Sequence, residues 1–117
     1  MSASRELVQI FVPEGNRAEQ TMPVDLHDRW VIRLLALCGE LFGGATCYGR
    51  GVGVWEGGRG LCWDRVTVIE AWYDPSMVDL VARANRLRRH LKAMGRALRQ
   101  DAVAAMMGGR FHLWGTK

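Results

Sequence analysis

A glycine-rich stretch in the middle of the chain constrains the fold more than any other feature. From Gly43 to Trp63 the sequence places eight glycines, two arginines and two tryptophans within 21 residues. Glycine at this density disfavours a packed helix, because it loses much backbone freedom on ordering and brings no side chain to a core. The stretch therefore predicts a long, twisted β-hairpin whose arginine and tryptophan side chains are available for binding.

The flanking segments predict a strand, a helix and the arms of this hairpin. Glu6–Pro13 contains the apolar run LVQIFV and predicts a half-buried first strand. A helix is expected from an N-cap at Asp25 to the glycine pair that begins at Gly43, because apolar residues recur there at three- and four-residue spacing. Ala45–Trp55 and Leu61–Tyr73 then predict the two strands of the hairpin.

A second helix carries the clearest periodicity in the chain. Ser76 is its predicted N-cap, with Asp79 completing a capping box. Its apolar seam alternates three- and four-residue steps through Met77, Leu80, Ala84, Leu87, Leu91, Met94 and Leu98. Ala102–Met107 and Arg110–Trp114 flank a Gly-Gly pair and predict a terminal β-hairpin.

The resulting order, β-α-β-β-α-β with one more strand, predicts an α+β fold of the ferredoxin-like type. Both helices are expected on one face of an antiparallel sheet, with a C-terminal β-hairpin added to it. The chain has 117 residues, which suits one small domain, assigned to residues 6–117 after a disordered tail at residues 1–5.

The cysteines and the hydropathy predict a cytoplasmic protein. Cys38, Cys47 and Cys62 form no C-x-x-C pair, and an odd, sparse count favours reduced thiols. The sequence shows neither a charged-then-apolar leader nor an apolar run long enough to cross a membrane. No membrane partner is therefore expected.

Positive charge is concentrated on the second predicted helix. The net charge of the chain is +4, yet residues 80–100 hold seven basic side chains and no Asp or Glu. Two groups of candidate binding residues follow from this and from the hairpin, namely Arg50, Trp55, Arg59 and Trp63 in the hairpin and Arg86, Arg89, Lys92 and Arg96 on the helix. Such residues suit either a protein interface or contacts with the phosphates and bases of RNA or DNA.

Signatures of catalysis are missing from the sequence. There is no Ser-His-Asp pattern, P-loop or metal-binding spacing, and Glu40, Asp64 and Glu70 do not form a recognisable carboxylate pair. The sequence therefore predicts no catalytic residue, no cofactor and no metal, and favours a protein that is not an enzyme.

Two family resemblances accompany these patterns. The segments Leu7–Pro13, Leu41–Thr46 and Gly53–Trp55, together with Asp64 and Glu70, resemble small uncharacterised bacterial proteins with a ferredoxin-like fold. The layout also resembles that of the PII signalling proteins, with the triplet GRG at residues 49–51 where their long loop begins. That second resemblance implies nucleotide binding at subunit edges.

The function expected from the sequence is that of a non-catalytic binding or assembly module. It would self-associate, or dock on a protein partner, through an open sheet face and the glycine-rich hairpin. The first alternative is a nucleic-acid-binding accessory protein that uses the basic helix and the hairpin. A small-molecule sensor of the PII type is the weaker alternative.

Overall fold

The computed structural model describes residues 4–15, 24–58 and 60–117. Within these ranges the chain forms, in order, β1 (Glu6–Gly15), α1 (Val24–Phe42), β2 (Thr46–Gly57), β3 (Gly60–Tyr73), α2 (Leu80–Ala97), β4 (Ala102–Met107) and β5 (Arg110–Gly115). Most of the predicted tail and most of the loop expected after β1 lie outside the described residues.

All strands belong to one antiparallel sheet with the order β2-β3-β1-β4-β5. The long β2–β3 hairpin predicted from the glycine-rich stretch is present, and its ladder runs from Thr46↔Glu70 to Gly57↔Gly60. β1 pairs with β3 along most of its length, but its ladder with β4 runs only from Val8↔Met107 to Ile10↔Ala105. Beyond Ile10 the two strands separate.

The prediction of a simple ferredoxin-like fold was wrong, because the sheet curls into a half-barrel. Register shifts fall between Tyr48 and Arg50 in β2 and between Pro13 and Gly15 in β1. Such bulges bend a strand and increase its twist, so a sheet that contains them does not stay a flat layer. The two helices contact different parts of the sheet, since α1 packs on β1 and β3 whereas α2 packs on α1 and β4.

The core lies between the sheet and the two helices, where the periodic patterns placed it. Leu34 and Cys38 of α1 and Leu91 and Met94 of α2 are all 0% exposed. They pack against alternate residues of the central strands, including Ile10, which is also fully buried. Both predicted helical seams are therefore confirmed as the faces that cover the sheet.

The helix termini depart partly from the prediction. Gly43 ends α1 as expected, with φ of 91° and its N–H donating to the Gly39 carbonyl at 3.0 Å. Ser76 does not cap α2, because its N–H and hydroxyl both donate to the Asp74 carboxylate in a tight turn. The helix starts at Leu80, after Asp79. The hydrogen bonds of this turn compete with helix formation, which explains why α2 begins later than predicted.

The terminal hairpin is confirmed, with β4 and β5 joined through Gly108 and Gly109 at φ of 62° and 77°. Positive φ at both central residues is what a two-residue hairpin turn of the favoured twist requires. Among the described helices, none is long and apolar enough to span a membrane.

Candidate functional site

Alternation along the strands gives the sheet a second face, which points away from the helices. The side chains on this open face include Gln9, Phe11, Tyr48, Trp55, Asp64, Val66, Glu70, Trp72, Phe111 and Leu113. Trp72, Phe111 and Leu113 are each more than half exposed. The open face thus combines a large apolar surface with two carboxylates, those of Asp64 and Glu70.

One of these carboxylates, Glu70, is held by another open-face side chain. Gln9 lies directly across from Glu70 in the β1–β3 ladder, and its side-chain N–H donates to Glu70 Oε2. Tyr48 approaches Glu70 from the β2 side, and the interaction between them affects the pKa of the Tyr48 hydroxyl. Gln9 therefore orients the carboxylate from β1.

The hydrogen bond to Glu70, with a smaller effect of burial, raises the pKa of Tyr48 above its usual range. The phenol therefore keeps its proton at neutral pH. The cluster thus presents an oriented carboxyl group at the surface.

Glu70 lines a cavity of about 530 Å³, called here the Glu70 cavity, at the end of α1 where β2 begins. Its other walls include Arg5, Thr46 and Trp72, together with the backbone around Gly43. A carboxylate, a guanidinium and an indole that is 56% exposed therefore line one open cavity. This set of groups can recognise a ligand with charges of both signs and a flat ring.

A second cleft, called here the Trp55 cleft, opens where β1 and β4 separate. Its volume is about 340 Å³, and Phe11 and Pro13 of β1 line it opposite Ala102 and Ala104 of β4. Its remaining walls include Trp55, Glu56, Asp64, Val66, Asp101 and Leu113. The curl of the sheet creates this cleft, because a continuous β1–β4 ladder would close it.

The predicted hairpin residues do not gather at one site. Trp55 is 40% exposed and its indole N–H donates to both oxygens of Asp64, each at 3.2 Å. Trp63 is 60% exposed and, by strand alternation, points to the opposite face from Asp64. Arg50 lies at the β2 bulge, where only its backbone is described, and Arg59 lies outside the described residues.

The predicted residues of α2 are partly engaged within the protein. Arg86 pairs with Glu40 at 2.9 Å, and the Arg96 guanidinium donates to the Thr116 carbonyl at 3.2 Å. Arg89 is exposed and Lys92 is half-buried, and within the described part of the chain neither one forms an ion pair. The helix therefore keeps some free positive charge, and its role in binding stays a prediction.

Sequence reasoning missed the cluster around Glu70. The available signal was weak: Gln9 and Glu70 are polar residues inside otherwise apolar strands, at positions that share one sheet face. Their pairing depends on strand register over 61 residues of separation, which no local pattern reveals.

The remaining polar groups give no stronger site. His27 is buried, and its Nδ1 and Nε2 contact Asp28 Oδ1 at 2.9 Å and Thr67 Oγ1 at 3.0 Å, which joins α1 to β3. Within the described ranges no cluster of His, Cys, Asp and Glu has the geometry to hold a metal ion. Burial raises the pKa of the Cys38 thiol to about 12, which makes it unreactive.

Comparisons with known proteins identify a fold likeness. The structure resembles that of a phage SAM lyase. The lyase in complex with S-methyl-5'-thioadenosine superposes with a TM-score of 0.65 at 13% identity, over 98% of this chain and 92% of that one. Its apo form gives a TM-score of 0.61 at 15% identity, over 94% and 88% of the two chains. This likeness replaces the ferredoxin-like prediction.

Neither of the sequence-based comparisons adds a relative. No protein-family model matches the chain, and no curated protein matches it. At 13% identity the likeness to the lyase establishes the fold alone.

Proposed function

We propose that the protein binds S-adenosylmethionine in the Glu70 cavity and cleaves it as a lyase, releasing S-methyl-5'-thioadenosine. The observation that carries this proposal is the set of Arg5, Glu70 and Trp72 around one cavity. The fold likeness to a phage SAM lyase supports it. This enzymatic role is an alternative to the non-catalytic role that was expected from the sequence.

The groups around the cavity complement this substrate. S-adenosylmethionine carries a sulfonium, an ammonium, a carboxylate and a flat adenine ring. Arg5 is suited to the carboxylate, because a guanidinium pairs with it through two parallel hydrogen bonds. The exposed indole of Trp72 offers a stacking surface for adenine. Glu70 supplies the charge that attracts the cationic part.

The proposed reaction balances without water or an external base. The bond between sulfur and the γ carbon of the methionine part breaks, and sulfur keeps the electron pair to become a neutral thioether. The substrate's own carboxylate oxygen attacks the γ carbon, and the four-carbon fragment leaves as a lactone. The task of the protein is then to hold the carboxylate in line with the breaking bond, which is a proximity effect.

Glu70 is assigned to the ammonium group of the substrate rather than to its sulfonium. The positive charge on sulfur disappears as the bond breaks, so a carboxylate against the sulfur would stabilise the substrate more than the transition state. The ammonium keeps its charge throughout, so pairing it with Glu70 orients the reacting fragment without opposing the reaction. Gln9 holds Glu70 in place for this role through its side-chain hydrogen bond.

The experiment is an assay for S-methyl-5'-thioadenosine. Purified protein is incubated with S-adenosylmethionine and the products are separated by chromatography and weighed by mass spectrometry. We expect the thioadenosine from the unaltered protein, and a loss of about tenfold or more in its rate of formation for Glu70→Gln, because a charged hydrogen bond contributes about 1.5–3 kcal/mol. Trp72→Ala should weaken substrate binding in calorimetry.

Glu40→Gln is the matched control, since Glu40 is an exposed carboxylate on α1 that pairs with Arg86 outside the sheet face. It should leave the rate unchanged. An unaltered protein that neither binds S-adenosylmethionine at millimolar concentration nor releases the thioadenosine would contradict the proposal. Equal rates for Glu70→Gln and the unaltered protein would place the reaction elsewhere.

Self-association through the open face is a second candidate property, and it keeps the assembly role expected from the sequence. Trp72, Phe111 and Leu113 are 56%, 51% and 64% exposed on this one face. Large exposed apolar side chains on one face are a feature of interfaces in soluble proteins. Light scattering at high micromolar concentration should give a mass above that of the 13.1 kDa chain. A monodisperse monomer would exclude it.

A further inference from the structure

The Trp55 cleft is separate from the Glu70 cavity. Asp64, its carboxylate on β3, precedes Glu70 by six residues on the same strand, which corresponds to roughly 20 Å. Among the described residues, the walls of the two sites have none in common. A small ligand in one site therefore leaves the other open, and the cleft requires its own explanation.

The cleft combines apolar walls with charge of a single sign. Phe11, Trp55 and Leu113 supply large apolar side chains, and every charged residue of the described lining is acidic, namely Glu56, Asp64 and Asp101. This is notable in a chain whose net charge is +4. A volume of about 340 Å³ lies at the small end of the range for small-molecule sites. Aromatic faces beside carboxylates attract organic cations.

Asp64 is held in position before any ligand arrives. The Trp55 indole N–H lies 3.2 Å from both of its carboxylate oxygens. This arrangement depends on Gly53, which lies directly opposite Asp64 in the ladder. A Cβ atom on Gly53 would come 2.6 Å from Asp64 Oδ1 and 3.1 Å from the indole nitrogen. The glycine thus leaves the space in which the indole and the carboxylate meet.

We propose that the Trp55 cleft binds a small organic cation with an apolar body. The ammonium or guanidinium group of the ligand pairs with Asp64, and its apolar part lies against Trp55, Phe11 and Leu113. An anionic ligand is disfavoured because every charged group of the described lining is a carboxylate. The proposal does not depend on the lyase reaction, which is assigned to the other cavity.

The test uses three probes that share a phenylethyl or benzyl body and differ in charge: 2-phenylethylamine, 2-phenylethanol and phenylacetate. Binding is followed in ¹H–¹⁵N spectra through the indole N–H signal of Trp55, which Trp55→Phe identifies by removing it. We expect the amine to shift this signal at millimolar concentration, with about tenfold or more higher affinity than the alcohol, and phenylacetate to leave it unmoved.

Asp64→Asn removes the charge and keeps an acceptor for the indole, so the affinity for the amine should fall about tenfold or more while that for the alcohol stays the same. Glu40→Gln is the control that changes no affinity. Gly53→Ala provides a second variant and should weaken amine binding by displacing the indole from Asp64. Equal affinity for amine and alcohol, an unmoved Trp55 signal, or an Asp64→Asn variant that binds the amine normally would each overturn the proposal. Asp64→Asn should also release S-methyl-5'-thioadenosine at the rate of the unaltered protein, so the two proposals fail separately.

Discussion

Replacing Gly95 by alanine should destabilise the protein, although alanine is the better helix former. Gly95 is a buried residue of α2 and faces Thr116, near the C-terminus of the chain. A Cβ atom there would lie 2.4 Å from Thr116 Cγ2 and 2.6 Å from Val103 Cγ1. Both are side chains branched at Cβ, which have few alternative rotamers. Thr116 is further fixed because its hydroxyl donates to the Gln100 carbonyl at 2.7 Å.

Two opposing effects set the magnitude of this change. Alanine stabilises a helix interior by about 1 kcal/mol relative to glycine. An extra methyl group in a packed core costs about 1–3 kcal/mol, and two contacts far below van der Waals distance favour the upper end of that range. The free energy of unfolding should therefore fall by about 1–2 kcal/mol. For a domain of this size, the melting temperature should drop by roughly 4–8 °C.

Urea unfolding followed by circular dichroism measures this difference, and Gly39→Ala is the matched control. Gly39 lies inside α1, and no described residue approaches within 4 Å of a Cβ atom at that position. The control should be stabilised by about 0.5–1 kcal/mol. If Gly95→Ala raised the stability as much as Gly39→Ala, α2 would not approach β4 and Thr116 as closely as described, and the reasoning would fail.

Two further predictions concern α2. Leu91→Ala should lower the free energy of unfolding by about 2–5 kcal/mol in the same urea experiment, because Leu91 is 0% exposed at the centre of the core, and a loss below about 0.5 kcal/mol would mean that the helix is turned the other way. For the alternative of nucleic-acid binding, changing Arg89 and Lys92 together to Glu should abolish binding to RNA or DNA in a gel-shift assay at low salt and leave the fold intact. Undetectable binding by the unaltered protein to single- and double-stranded probes would exclude that alternative.

Local patterns in the sequence were sufficient for the helices and for most of the core. The seam through Leu87, Leu91 and Met94 is periodic within one element, so its buried face could be read without knowing what covers it. The same holds for the Gly108-Gly109 turn, whose conformation depends on two neighbouring residues.

The curl of the sheet and the Glu70 cavity could not be read in this way. A bulge such as the one between Tyr48 and Arg50 reverses which residues face the core, and nothing in the glycine-rich sequence fixes its position. The cavity joins Arg5, Thr46 and Glu70 from three separate parts of the chain. Each looks ordinary alone, and only the register between strands brings them together.

The charge on α2 shows that counting charged residues along a helix does not give the charge of the surface around that helix. The absence of Asp and Glu between residues 80 and 100 suggested an uncompensated basic helix. The structure compensates part of that charge from a distance, with Glu40 of α1 paired to Arg86, 46 residues away, and backbone carbonyls accepting from Arg83 and Arg96. The free cations of α2 therefore lie on the helical side of the sheet, while Asp64 of the Trp55 cleft lies on the open face. The net charge of +4 is a sum over both regions. The charge of the ligand that each site prefers is therefore decided by the charged side chains that line that site.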